Sequence, residues 1–123
     1  MQSLHVVLFQ VDSNVAQGLV SVLANNFNSV RQVQTFGELR SSIAKHRAVV
    51  AILDMEAASI SDLAQLSHEF PTACIVCTHR LADEHLWTAA LDAGAADVCP
   101  PSDTSGILRA ALGNAALRNS AIA

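Results

Sequence analysis

The chain has 123 residues, of which 51% are hydrophobic and only 15% charged, with a formal net charge of −4. That length supports one domain, and that apolar content excludes a disordered chain. The acidic balance argues against a nucleic-acid surface, which needs clustered Lys and Arg, and the longest apolar run, Ala48 to Leu53, is far short of the roughly 20 residues of a bilayer-spanning helix. In chain order, His5 to Phe9 reads as a buried strand. Asp12 or Ser13 caps a helix that places Val15, Leu19, Val22 and Leu23 at helical spacing. Val30 to Gln34 alternates apolar and polar residues and reads as an edge strand beside the first.

Thr35 and Glu38 form a capping box, each satisfying the other's backbone N–H, and start a second helix running to His46. Ala48 to Leu53 is apolar throughout, the mark of a central parallel strand covered on both faces. Ser59 and Asp62 cap a third helix carrying Ile60, Leu63, Leu66 and Phe70, and Pro71 stops it. Ala73 to Thr78 is a fourth strand. Asp83 caps a fourth helix with Leu86, Ala90 and Leu91, and Gly94 stands where a left-handed cap falls. Ala96 to Cys99 is a short fifth strand, and Asp103 or Thr104 caps a last helix with Ile107, Leu108, Ala111, Leu112 and Ala115. Five βα units imply an α/β fold: one parallel sheet with right-handed crossovers and helices on both faces. The compact solution is the doubly wound, flavodoxin-like three-layer sandwich with strand order 2-1-3-4-5, whose sites lie outside the carboxyl ends of the strands.

Those ends carry Gln10 to Ser13, Asp54 to Glu56, Thr78 to Arg80 and Pro100 to Asp103. Asp54 ends the most apolar strand, Thr78 ends the next, and Ala93 to Asp97 reads A-G-A-A-D. In the order and spacing of its units and in these residues, the chain from Leu4 to Leu117 resembles the CheY-like receiver domains of two-component response regulators. The resemblance implies Asp54 as the position of a phosphoryl acceptor and Thr78 as the hydroxyl that bonds a phosphoryl oxygen.

The other parts of such a site are missing. The acidic pair that would hold Mg²⁺ falls on Gln10 and Val11, with Asp12 one residue late, where it caps a helix. The lysine position falls on Pro101, or on Pro100 if the loop shifts, and the proline after it on Ser102. The aromatic switch position falls on Val98, and the proline and glycine of the loop after the acceptor on Ala58 and Asp62. Phosphoryl transfer depends on positioning and charge neutralisation. Mg²⁺ requires oxygen ligands that Val11 does not offer. The expectation is a pseudo-receiver that binds Mg²⁺ weakly or not at all, uses no cofactor and is not an enzyme. It acts in signalling as a phosphorylation-independent interaction module.

Alternatives stay open. Arg80, with its fixed charge and fork of donors, or His79 could replace the missing groups, giving a working atypical receiver phosphorylated on Asp54 in a phosphorelay. The bulk of His79 is expected to narrow access to Asp54, and Arg80 also reads as a solvated loop residue. Glu56 could join Asp12 and Asp54 in a metal cluster. A third reading is a small flavodoxin-like metal- or ligand-binding protein using Cys77, His79 and Cys99. The three cysteines, Cys74, Cys77 and Cys99, fit buried reduced thiols, and the C-x-x-C of Cys74 and Cys77 lies in a strand, where residues three apart face opposite ways. No dinucleotide fingerprint, P-loop or nucleophile elbow occurs.

Trp87 either packs inward or anchors an interface. By resemblance, the fourth helix, fifth strand and fifth helix form the face for a protein partner or a homodimer, with Trp87, Ile107, Leu108, Ala111, Leu112 and Ala115 as candidate contacts. No nucleic-acid or membrane contact is expected. No basic and then apolar leader follows Met1, so a cytoplasmic setting is expected. Residues 1–123 read as one receiver-like domain, with Ser120 to Ala123 as the start of a linker to an output domain.

Overall fold

The computed structural model describes residues 4–81 and 83–122, with side chains as far as residue 113. The elements are β1 (His5–Phe9), α1 (Ser13–Ala24), β2 (Ser29–Val33), α2 (Phe36–His46), β3 (Val50–Asp54), α3 (Ile60–Glu69), β4 (Cys74–Thr78), α4 (Glu84–Ala93), β5 (Asp97–Cys99) and α5 (Thr104–Ile122). The five strands are parallel, in the order β2-β1-β3-β4-β5. The expected doubly wound α/β fold is therefore the one observed.

Strand periodicity divides the core into two layers. Val7, Phe9, Ala51, Leu53, Ile75 and Cys77 face a layer closed by Leu39 and Ile43 of α2, Leu63 and Leu66 of α3, and Ala90 of α4. Val6, Leu8, Val50, Ile52, Cys74 and Val76 face Ala16, Leu19 and Leu23 of α1, and Ile107 and Ala111 of α5. Every residue of β3 and β4 is buried, as a central strand covered on both sides requires. Among the described residues no helix is long and apolar enough to cross a membrane.

Helix starts follow their caps. Asp12, rather than Ser13, caps α1 by accepting from the N–H groups of Asn14 and Val15. Ser59 and Asp62 form a complete capping box on α3. The box expected at Thr35 and Glu38 is half formed. Thr35 Oγ1 accepts from the Glu38 N–H at 3.1 Å, and the Glu38 carboxylate takes the Thr35 hydroxyl at 3.4 Å instead of reaching back to the backbone. Asp83 caps α4, and Asp103 accepts from the Gly106 N–H at the start of α5. Gly94 closes α4 at φ 117°, the left-handed cap expected there.

Strand boundaries move by one or two residues. β3 starts at Val50 rather than Ala48, because Arg47 turns left-handed at φ 51° and the Ala48 N–H folds back onto the Ile43 carbonyl. It then includes Asp54, which is paired in register with Thr78. β2, β4 and β5 begin at Ser29, Cys74 and Asp97.

Candidate functional site

Register brings the carboxyl ends of β1, β3 and β4 together, and with them Gln10, Asp54 and Thr78. These are the buried polar side chains of the described residues, at 4%, 3% and 0% exposure. Burying polar groups demands that they satisfy one another, and they do so in a chain. The Thr78 hydroxyl donates to Gln10 Oε1 at 2.9 Å. The Gln10 amide donates through Nε2 to Asp54 Oδ2 at 3.4 Å. The Val11 N–H donates to the same oxygen at 3.1 Å, and the Glu56 N–H donates to Asp54 Oδ1 at 2.9 Å. The carboxylate fixes the amide's orientation, since the flipped amide would set oxygen against oxygen. No buried side-chain N or O among the described residues lacks a partner.

Gln10 was legible as the replacement for an acid, but not as the bridge between Asp54 and Thr78. The signal was present: a residue with both a donor and an acceptor stands at the strand end beside a carboxylate and a hydroxyl. Val11 contributes its backbone N–H, while its side chain stays exposed.

Asp54 lines a cavity of about 480 Å³ walled by Gln10, Asp12, Glu56, Arg80, Pro101 and the apolar Val11, Val15 and Ala57. Arg80 is the exposed loop residue that the sequence suggested, with 77% of its side chain accessible, and it pairs with Glu56 rather than with Asp54. Its Nε reaches Glu56 Oε1 and Oε2 at 2.9 and 3.1 Å, and its Nη2 reaches Oε1 at 2.9 Å. That hydrogen bonding holds the Glu56 carboxyl below its ordinary range and raises the Arg80 guanidinium above its own. His79 does not narrow the cavity. Its Nδ1 accepts from the Leu81 N–H at 2.9 Å, which folds the ring into its own turn, and it is absent from the cavity wall.

The residues present do not fit Mg²⁺. That ion demands several oxygen ligands in near-octahedral array. At the β1 end the Gln10 amide turns its N–H toward Asp54 and its oxygen toward Thr78. Asp12 Oδ1 is committed to the cap of α1, and Glu56 to Arg80. Asp12, Asp54 and Glu56 thus form no ligand set, and among the described residues no three His, Cys, Asp or Glu side chains are grouped to hold a metal.

The trio of Cys77, His79 and Cys99 is also corrected. Cys77 faces the α2–α3–α4 layer and Cys99 the α1–α5 layer, so the sheet separates them. Burial pushes the Cys77 thiol up to about 12 and that of Cys99 up to about 11, and both stay protonated.

Val98 of β5, where the resemblance implies an aromatic, is buried in the layer under α2, α3 and α4. Trp87 is exposed, with its Nε1–H donating to Asp97 Oδ1 at 3.4 Å. Ile107 and Ala111 are fully buried against the sheet, so they hold the core and are removed from the candidate interface. Leu108 and Leu112 are half-buried beside them, and the side chain of Ala115 lies outside the described residues.

No protein-family model matches the sequence, and no curated protein matches it. Solved structures do share its fold. The signal receiver domain of the response regulator NarL from Mycobacterium tuberculosis aligns over 94% of this chain and 98% of its own, with a TM-score of 0.79 and 21% identity. A CheY-like response-regulator receiver domain from Methanospirillum hungatei covers 97% of this chain and 98% of its own, with a TM-score of 0.81 and 15% identity. A response regulator from Burkholderia pseudomallei, solved with a phosphorylated aspartic acid, calcium and citrate, covers 98% of this chain and 74% of its own, with a TM-score of 0.77 and 20% identity.

Proposed function

From this shared receiver fold we propose that the chain is a receiver-type signalling domain that works without the Mg²⁺-dependent phosphorylation cycle, as a protein-interaction module. The observation that carries this reading is the occupation of Asp54. Three N–H donors hold its two oxygens, and a neutral amide ties it to Thr78. A phosphoryl group on Asp54 would have to displace that amide, and the cation on the cavity wall, Arg80, is paired with Glu56 rather than with Asp54. Catalysed phosphoryl transfer needs charge neutralisation that these residues do not supply.

In this reading the output lies on the surface. The face of α4, β5 and α5, with Trp87 exposed over Asp97 and Leu108 and Leu112 half-buried, is the place for a protein partner or a second copy. A large aromatic with one polar handle is the kind of side chain that anchors such contacts. The setting proposed is cytoplasmic.

The test is incubation with acetyl phosphate and Mg²⁺, followed by intact mass measurement, with amide NMR under beryllofluoride in parallel. The expected result is no phosphoryl mass increment and no saturable shift at Asp54 or Thr78. A phosphoryl increment that Asp54→Ala abolishes would overturn the proposal in favour of a working, atypical receiver.

A further inference from the structure

A second charged locus lies at the opposite end of the sheet from Asp54. Right-handed crossovers return the carboxyl end of each helix to the amino ends of the strands. Lys45 and His46, at the end of α2, line one groove with Arg31 of β2, and His46 also senses His5 of β1. Arg31 stands in register with Val7, which faces the layer under α2, so Arg31 rises on the α2 side of the edge strand. Along α2, Ser41, Ser42 and Lys45 recur at three- and four-residue spacing on one face. With Arg31 and His46 they line a groove of about 570 Å³ between the helix and β2, whose wall also includes Thr35, Gly37 and one carboxylate, Glu38.

In the groove the two cations Arg31 and Lys45 outnumber the one carboxylate, Glu38, a local positive excess in an acidic chain. Arg40 is bound to Glu69 and Arg80 to Glu56, whereas Arg31, Lys45 and the adjacent Arg47 are in no ion pair among the described residues. His46 is held below its ordinary value, first by burial and then by Arg31, Lys45 and His5, which favours its neutral form and leaves Arg31 and Lys45 as the cations of the groove. Helix-dipole complementarity accounts for Lys45 and His46 alone, and protection of an edge strand accounts for Arg31 alone. Neither accounts for their convergence on a groove that also carries hydroxyl donors.

We propose that the groove between α2 and β2 binds an acidic protein segment. Its carboxylates meet Arg31 and Lys45, and the hydroxyls of Ser41 and Ser42 with the neutral ring of His46 supply further hydrogen-bonding groups. Nucleic acid fits less well. Duplex binding draws on many phosphate contacts, which the net charge of −4 opposes, and no Phe, Tyr or Trp lines the groove as a platform for base stacking. This inference does not depend on how Asp54 is used.

The experiment is an NMR titration of the ¹⁵N-labelled chain with a short polyglutamate peptide at low salt. The expected result is saturable shifts at the amides of Arg31, Ser41, Ser42 and Lys45, with those around Asp54 unmoved. The double charge reversal Arg31→Glu with Lys45→Glu changes two exposed side chains, and circular dichroism checks that the fold survives. It should weaken binding by at least about tenfold. Three outcomes would overturn the proposal: no saturable shift, shifts that persist in the double variant, or equal affinity for a short DNA duplex. Self-association seen by sedimentation and lost in the double variant would also overturn it, by placing a second copy in the groove.

Discussion

Gln10 and Thr78 offer a direct measurement of the buried network. Gln10→Leu keeps most of the side-chain volume and removes both polar ends. The Thr78 hydroxyl, fully buried, then loses its acceptor, and an unsatisfied buried group costs about 1–3 kcal/mol. Asp54 also loses a long donor at 3.4 Å but keeps the Val11 and Glu56 N–H groups, so this second loss adds about 1 kcal/mol. Thr78→Val makes the converse lesion, leaving Gln10 Oε1 without its donor at a similar cost of about 1–3 kcal/mol. In the double variant neither group is orphaned, and its destabilisation should fall short of the sum of the singles by about 1–2 kcal/mol. The assay is urea unfolding followed by circular dichroism. Thermal melts should agree, at about 4 °C per kcal/mol for a chain of this length. Additivity of the two changes within about 0.5 kcal/mol would refute the shared hydrogen bond and with it the locked site.

Three further outcomes are expected. Gly94→Ala should lower the melting temperature by several degrees, at a cost of about 1–3 kcal/mol, because its φ is 117° and an added Cβ would run into Ser67 Oγ; an unchanged melt would refute the close approach of α3 and α4. The Cys77 and Cys99 thiols, pushed up to about 12 and about 11, should resist iodoacetamide in the native state near neutral pH and react on unfolding; rapid native labelling at Cys77 would contradict its burial. The Glu56 carboxyl is held below its unfolded value by Arg80, so its contribution to stability is full above that value and is lost as pH falls through the folded one. Urea midpoints measured from neutral pH down to about pH 3 should therefore decline less steeply in Arg80→Gln than in the parent; identical profiles would show that the pair does not act on stability.

The fold was readable because its signals are local. A strand apolar on both faces, the caps at Asp12, Ser59, Asp83 and Asp103, and the left-handed glycine at Gly94 depend on neighbours within a few residues. Asp54 and Thr78 were legible for the same reason, since strand ends are where open parallel sheets place their sites. What lay beyond the sequence was the direction of side chains across elements. Arg80 and Glu56 are separated by 24 positions, and only the fold decides that they meet. His79 was expected to lean over the cavity, yet the N–H of Leu81 draws it into a turn. Cys99 lies next to β4, and strand parity still puts it on the opposite face from Cys77. Ile107 and Ala111 share a helix with half-buried Leu108, and rotation about the axis of α5 sends those two into the core.

In the reading proposed above, the amide of Gln10, where the resemblance places an acid, accounts for the other differences at the site. An acid at this position would repel Asp54 across the strand ends, and only a cation could hold the two together. A neutral amide turns the same contact into an attraction, because its N–H faces Asp54 while its oxygen accepts from Thr78. With that bond in place neither a metal nor a lysine is required to keep the buried carboxylate satisfied, and proline at position 101 leaves no polar group orphaned. The same bond fixes Thr78 relative to Asp54, so moving the hydroxyl means breaking a buried pair. A switch needs two arrangements of nearly equal free energy, and a fully satisfied network lowers one of them. In the reading proposed above, a domain built this way serves as a fixed surface, and its specificity therefore rests on exposed side chains such as Trp87 and the cations beside α2 rather than on the state of Asp54.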